Sequence, residues 1–142
     1  TPMKTATLTL LLLGMLVSAS LHGQGFYQGD ASALQEKAAE KGLPYVIELN
    51  ATWCGFCKKF ERETLTDSTV ISYLEENYFM ATTDGEDGFG LALAEEHNVR
   101  AFPALLFFAD NGELIKKKTG YQDPEYFLYN LKKYKKKFER RY

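Results

Sequence analysis

The chain has 142 residues, of which 45% are hydrophobic, and its formal net charge at pH 7 is -2. This composition suits one compact domain with an ordinary hydrophobic core. It does not indicate a nucleic-acid binder, since such proteins carry an excess of basic residues. The two cysteines are too few for a disulfide framework, so we expect stability to come from burial and the cysteines to be available for chemistry.

The N-terminal segment, residues 1–23, has the features of a signal peptide. Lys4 supplies a positive charge, residues 8–17 form an almost continuous apolar run, and residues 18–23 include the small side chains of a cleavage site. The run is shorter than the roughly 20 residues that span a membrane as a helix. We therefore expect export, cleavage after position 23 and a single domain at residues 24–142, with an uncleaved membrane anchor as the less favoured alternative.

Helical and strand patterns alternate along the rest of the chain. Helices are predicted over residues 31–41, 55–65, 69–76 and 91–98 and after Pro124, and strands over 45–50, 78–83, 104–109 and 113–119. Asp30, Asp67 and Asp123 are placed to cap helices. The turn sequence at 110–112 predicts antiparallel pairing of the last two strands. The fold class is therefore α/β, a central mixed sheet with helices on both sides in three layers.

The first strand, residues 45–50, is apolar on both faces except at Glu48. A central strand covered by helices on both sides has this pattern, so we expect the Glu48 carboxyl group to be buried. Burial disfavours the charged form of a carboxyl group and raises its pKa.

Two charged segments have ordinary explanations. The acidic residues Asp84, Glu86 and Asp87 lack the ligand spacing of an EF-hand, so we interpret residues 84–90 as a solvated loop. The C-terminal helix has an apolar face, and its other positions carry seven basic residues. We interpret these as a solvated face that also complements the helix dipole, with an anionic partner surface as the less favoured alternative. The apolar face comprises Phe127, Leu131, Tyr134 and Phe138, and the basic residues are Lys132, Lys133, Lys135, Lys136, Lys137, Arg140 and Arg141.

Both cysteines stand in the segment W-C-G-F-C-K, residues 53–58, between a predicted strand and a predicted helix. Haem attachment requires His after the second cysteine, where this chain has Lys58. A closed zinc site needs four Cys or His ligands, and His97 is the only histidine beyond position 23. An inert disulfide around so small a loop stabilises little. The segment therefore favours a redox dithiol.

These features, taken in order along the chain, resemble the thioredoxin superfamily. The CxxC segment follows a hydrophobic strand, and Glu48 stands six residues before Cys54. Phe102 and Pro103 precede a strand, and the chain closes with a turn, Gly120 and a helix. Residues 57–70 are further similar to the periplasmic thioredoxin-like domain of the electron-transporting DsbD proteins.

The sequence also departs from thioredoxin itself. Phe56 stands between the cysteines where thioredoxin has proline, and Glu48 stands where it has aspartate. Both differences bear on the redox potential.

The chemistry and the resemblance together assign three catalytic residues. A thiol at a helix N-terminus has a lowered pKa and reacts as the thiolate, so Cys54 is the expected nucleophile. Cys57, one turn further on, would attack the mixed disulfide. Buried Glu48 would accept the Cys57 proton, directly or through water.

Three further residues are expected to bind substrate. The resemblance implies that Pro103 is cis and lies opposite the dithiol. The backbone of Phe102 would then pair with an extended client segment as an added strand does. Trp53 would shape the surface beside the dithiol.

The sequence therefore predicts an exported thiol–disulfide oxidoreductase that acts on disulfide-containing or dithiol client proteins, as a reductase or isomerase rather than an oxidase. We expect a redox partner, such as a membrane electron donor, a monomeric protein, and no cofactor, metal or nucleic acid. By resemblance, the location is a bacterial periplasm, with secretion as the other form of export. One alternative is a peptide-binding or chaperone-like module whose dithiol is incidental. A weaker alternative is Cu(I) handling by the two thiolates.

Overall fold

The computed structural model describes residues 30–142, so the expected signal peptide and its cleavage point lie outside the described residues. Within them, a short 3-10 turn at Ala31–Ala33 precedes helices and strands that follow the predicted order. The helices are α1 (Leu34–Lys41), α2 (Gly55–Glu63), α3 (Ser68–Asn77), α4 (Gly88–Glu96) and α5 (Pro124–Arg141). The strands are β1 (Tyr45–Asn50), β2 (Phe79–Asp84), β3 (Ala104–Phe108) and β4 (Leu114–Thr119).

The four strands form one sheet in the order β2-β1-β3-β4. β1 pairs with β2 in parallel and with β3 antiparallel, and the hairpin of β3 and β4 is antiparallel as the turn at 110–112 predicts. The predicted mixed sheet is confirmed. Its two central strands carry the apolar runs, because both of their faces are covered.

Helices cover both faces of the sheet. Alternate residues of β1 point to opposite sides, so Val46 joins the core beneath α2, α3 and α5, while Ile47 joins the core beneath α1 and α4. The α5 residues of the predicted apolar face are buried in the first of these cores. The predicted three-layer α/β architecture is therefore confirmed.

Side-chain caps explain where several helices begin. Asp67 accepts hydrogen bonds from the N–H groups of Thr69 and Val70, and Asp123 accepts one from Tyr126. Asp30 caps the 3-10 turn through Ser32 N–H. All three caps were expected from the sequence, because Asp before an apolar helical pattern satisfies N–H groups that have no helical partner.

The structure shifts several of the predicted element boundaries by one to three residues. α4 begins at Gly88, three residues before the predicted start, because Asp87 caps it, and the predicted loop shrinks since Asp84 belongs to β2. Gly90 is needed in this helix because a Cβ there would collide with the carbonyl oxygen of Asp84. α2 ends at Glu63, two residues earlier than predicted. Across residues 30–142, the helices lack the combination of length and apolar composition needed to cross a bilayer.

Candidate active site

The two cysteines lie at the start of α2, directly after the carboxyl end of β1. Cys54 is the N-cap residue, and its Sγ accepts a hydrogen bond from the Cys57 N–H at 3.1 Å. The two sulfurs are joined in a disulfide, with 5.3 Å between the Cα atoms. Cys54 is 3% exposed and Cys57 1%, so both cysteine side chains are buried in this oxidised form.

Exposed aromatic side chains surround the buried disulfide. Trp53 and Phe56 are 67% and 63% exposed. Phe102 packs against the small cluster formed by Ala51 and the two cysteines. The structure therefore brings Trp53, Phe102 and the dithiol together in one surface, and apolar area on that surface remains available to a partner.

The Phe102–Pro103 peptide bond is cis, as the resemblance implies. The Pro103 carbonyl accepts a hydrogen bond from Gly120 N–H at 2.8 Å, which ties this turn to the end of β4. Within residues 30–142, neither the N–H nor the carbonyl of Phe102 has a hydrogen-bond partner. These groups are therefore free to pair with the backbone of another chain.

A loop that the sequence analysis treated only as solvent-exposed holds this surface in place. The Trp53 indole N–H donates to Glu86 Oε2 at 2.9 Å, and the Trp53 ring meets the Phe102 ring edge-on at a centroid distance of 6.1 Å. Gly85 lies directly under the Phe102 ring, which a Cβ at this position would strike. Gly85 and Glu86 thus position two of the three expected substrate-binding residues.

Glu48 is fully buried, as predicted. It points to the same face of β1 as Val46, which is the face that α2 covers. Thr82 donates its hydroxyl hydrogen to Oε2 of Glu48 at 2.9 Å, while Oε1 has no hydrogen-bond partner among residues 30–142. Burial raises the pKa of Glu48 to about 8, against the opposing effect of the Thr82 hydrogen bond. Glu48 therefore holds its proton over most of the neutral range.

Glu61 is a second carboxyl group near the site that the sequence analysis did not identify. It lies on α2, one turn beyond Cys57, and accepts a hydrogen bond from Asn50 Nδ2 at 3.0 Å. Its negative charge adds to the effect of burial and raises the pKa of Glu48 further. The spacing of four residues from Cys57 was the available signal, because residues i and i+4 share a helix face.

An open cavity of about 420 Å³ adjoins this surface. Its lining includes Gly85, Glu86, Leu91, Ala94, Val99 and Phe102. The cavity is large enough for an amino-acid side chain, and it lies next to the unpaired backbone of Phe102.

Acidic residues near the loop bind the backbone of the protein itself. Asp84 accepts a hydrogen bond from Glu86 N–H at 2.8 Å, and Asp87 accepts one from Gly88 N–H at 2.8 Å. Among residues 30–142, no three His, Cys, Asp or Glu side chains are grouped in a way that could hold a metal ion.

The chain is similar in sequence and in fold to known proteins. The thiol:disulfide interchange protein DsbD of Escherichia coli K12 is 34% identical over 95 residues, which are 65% of this chain but only 17% of that protein. The structure of a putative disulphide-isomerase from Bacteroides thetaiotaomicron matches at 29% identity and a TM-score of 0.63, covering 76% of this chain and 87% of that one. The reduced C-terminal domain of Neisseria meningitidis DsbD has the same fold, with 20% identity, a TM-score of 0.60, and coverage of 72% and 90%. The sequence profile of the thioredoxin-like domain family matches residues 32–135, so the chain belongs to this family.

Proposed function

We propose that this protein is an exported thiol–disulfide oxidoreductase that exchanges disulfides with client proteins through Cys54 and Cys57. The observation that carries the proposal is the Cys54–Cys57 disulfide at the N-terminus of α2, packed against Phe102 beside the cis Pro103 bond. The names of the Escherichia coli and Bacteroides relatives, an interchange protein and a putative isomerase, support the same chemistry.

The first step uses the thiolate of Cys54. Its Sγ attacks one sulfur of a client disulfide, a bond forms between these two sulfurs, and the client disulfide bond breaks. The other client sulfur leaves as a thiolate and takes a proton from solvent. The Cys57 N–H, 3.1 Å from Cys54 Sγ, and the N-terminus of α2 both stabilise the attacking anion.

The second step uses Cys57. Its thiol loses a proton and attacks Cys54 Sγ, the bond from Cys54 to the client breaks, and the Cys54–Cys57 disulfide closes. The second client sulfur leaves as a thiolate and takes a proton from solvent, so the client is released as a dithiol and two electrons have passed to it from the protein. We assign Glu48 as the acceptor of the Cys57 proton in the fraction of molecules whose Glu48 is ionised. Its pKa of about 8 lies close to that of an ordinary thiol, about 8.5, so the transfer is nearly balanced.

Client binding is assigned to Trp53, Phe102 and Pro103. An extended client segment would form backbone hydrogen bonds with Phe102, whose N–H and carbonyl are unpaired within residues 30–142. The exposed ring of Trp53 would contact the client beside the scissile disulfide, and the adjoining cavity of about 420 Å³ would receive a neighbouring side chain.

We favour the reductase or isomerase direction in an exported compartment. The signal-peptide features of residues 1–23 support export, and the names of the relatives support exchange or isomerisation. Because exported compartments are oxidising, a reductase there needs a dithiol donor to return its electrons, and we propose a membrane electron donor for this role.

Insulin reduction tests the activity. The reduced full-length chain is expected to precipitate insulin B chains, and Cys54→Ser is expected to abolish this activity, because no other thiol occupies the helix N-terminus. Cys57→Ser is the comparison variant: it should react once with a disulfide and then stall. Equal insulin reduction by the unsubstituted protein and by Cys54→Ser would refute the proposal.

A peptide-binding module with an incidental dithiol is the second candidate. The exposed rings of Trp53 and Phe56 and the unpaired backbone of Phe102 favour it, since these features bind peptides without redox chemistry. The double variant Cys54→Ser/Cys57→Ser separates the two functions. Client capture that is unchanged in this variant, together with no redox activity in the unsubstituted protein, would favour the binding module.

A further inference from the structure

Charge is divided unevenly along the chain. Residues 30–112 contain 6 basic and 15 acidic residues, whereas residues 113–142 contain 10 basic and 4 acidic residues. The overall charge of -2 therefore combines a strongly acidic part, residues 30–112, with a basic part, residues 113–142. We call residues 30–112 the acidic body.

The basic side chains of α5 form an outward row. The buried residues of α5 define its inner face, and four exposed cations follow one another on the opposite face at helical spacing. We call these four residues the basic stripe. It consists of Lys132, Lys133, Lys136 and Arg140.

Carboxylates do not neutralise the basic stripe. Among residues 30–142, the ion pair on α5 joins Lys135 to Glu139 and leaves all four residues of the stripe unpaired. Lys132 and Lys133 lie near tyrosine rings instead, with Nζ 5.8 Å from the Tyr73 centroid and 5.7 Å from the Tyr129 centroid. The stripe is thus a set of solvated charges that an anionic partner can reach.

Helix-dipole stabilisation accounts for only part of this pattern. Its benefit falls off within the last turn, and in α5 Arg140 and Arg141 supply it. Lys132 and Lys133 lie between one and two turns before the last turn, where the dipole favours them little. A partner explains their position better.

We propose that the basic stripe docks the protein on a membrane surface rich in anionic phospholipids. The stripe lies on the exposed face of a single helix. A plane of anionic headgroups attracts such outward cations, and no groove is needed to bind them. The contact is electrostatic, because the apolar face of α5 is already buried in the core.

The position of the stripe favours a plane over a nucleic acid. Lys137 Nζ donates to the carbonyl of Ile115 near the start of β4, whereas Gly120, just beyond the end of β4, holds Pro103. Five strand residues separate these levels by about 17 Å, so the C-terminal turns of α5 lie far from the dithiol along the sheet. Residues 30–112 contain 15 acidic and 6 basic residues, so a long polyanion that extended beyond the stripe would meet like charge, whereas a flat surface contacts only the outward face of α5.

The same geometry leaves the dithiol accessible. The site beside Pro103 lies at the opposite end of β4 from the C-terminal turns of α5, so docking through the stripe does not cover Cys54. The docked protein can therefore still meet soluble clients. This inference is independent of the redox function, because membrane docking uses neither cysteine.

Vesicle co-sedimentation of the full-length chain tests the proposal. Binding to phosphatidylglycerol/phosphatidylcholine vesicles is expected to exceed binding to phosphatidylcholine vesicles and to weaken as salt rises. The stripe variant Lys133→Gln/Lys136→Gln/Arg140→Gln should bind the anionic vesicles about 100-fold more weakly, since each cation near such a surface contributes about five-fold. Residues 8–17 are present in every variant, so their effect cancels in the comparison.

The matched control is Lys37→Gln/Lys41→Gln/Arg62→Gln, which removes the same charge from the acidic body. It should keep most of the binding, and circular dichroism should show both variants folded. Cys54→Ser/Cys57→Ser should bind vesicles normally, which separates this proposal from the redox function. Equal losses in the stripe and control variants would overturn the proposal, and so would stripe-dependent binding to duplex DNA without binding to vesicles.

Discussion

Thr82 and Glu48 face each other across the parallel pair of β1 and β2, and the Thr82 hydroxyl donates to Glu48 Oε2 at 2.9 Å. Burial raises the pKa of Glu48 to about 8, while this hydrogen bond opposes the rise. The proton affinity of the candidate proton acceptor is therefore adjusted by a residue 34 positions away in the sequence.

Glu48 should make the oxidised protein less stable as the pH rises. The folded state keeps the Glu48 proton up to about pH 8, whereas an ordinary Glu releases it near 4.5. The contribution of Glu48 to the free energy of unfolding is therefore fully present below pH 4.5 and is lost as the pH rises towards 8. Between pH 5 and 8, the free energy of unfolding should fall by about 3 kcal/mol more in the unsubstituted protein than in Glu48→Gln. Urea unfolding of both at several pH values measures this difference, and parallel pH profiles would contradict it.

Thr82→Val should raise the pKa of Glu48 further, because it removes the hydrogen bond that favours the carboxylate. Less carboxylate would then be present at pH 7 to accept the Cys57 proton, and insulin reduction should slow about two- to five-fold. Activity should recover at higher pH. Glu48→Gln is the control, since in that background Thr82→Val should leave the pH profile of activity unchanged.

Gly85→Ala should displace the Phe102 ring, because the added Cβ would overlap it. We expect a loss of stability of about 1–3 kcal/mol and weaker client binding, seen as a raised KM for insulin reduction. Gly55→Ala is the matched control for stability, since a Cβ at Gly55 meets no atom within 4 Å. Equal unfolding free energies for the two variants would argue against close packing of Phe102 on this loop.

Glu86→Ala should free the Trp53 indole by removing its acceptor at 2.9 Å. The bond is exposed to solvent, so a modest loss is expected: kcat/KM should fall about two- to five-fold through KM, with a change in Trp53 fluorescence. Glu86→Gln retains an acceptor oxygen, so its KM and its Trp53 fluorescence should both lie close to those of the unsubstituted protein. If Glu86→Ala leaves fluorescence and KM unchanged, Glu86 does not position Trp53.

The sequence predicts this fold well where local patterns agree with the final packing. The strand Tyr45–Asn50 matches its predicted bounds because an apolar run between a Pro and a turn permits few alternatives. The apolar positions of α5 match because helical spacing alone places them on one face. The burial of Glu48 follows from its place in an apolar strand, and the cis bond at Pro103 was implied by resemblance alone.

The missed features depend on contacts between distant segments. Thr82 lies beside Glu48 only through strand register, and Glu86 reaches Trp53 across 33 positions. The early start of α4 was missed because Gly88 and Gly90 are typical of loops, although close approach to Asp84 makes Gly90 necessary within the helix. Such relationships become visible only when the sheet has been assembled.

Trapping of a mixed disulfide by Cys57→Ser tests the redox account most directly. The reduced variant is treated with a peptide that carries one disulfide, and the product is digested and analysed by mass spectrometry. We predict a single peptide adduct on Cys54 that persists because the second thiol is absent, and no adduct in Cys54→Ser/Cys57→Ser. Failure of Cys54 to form an adduct, while the protein remains folded, would contradict the assignment of Cys54 as the nucleophile.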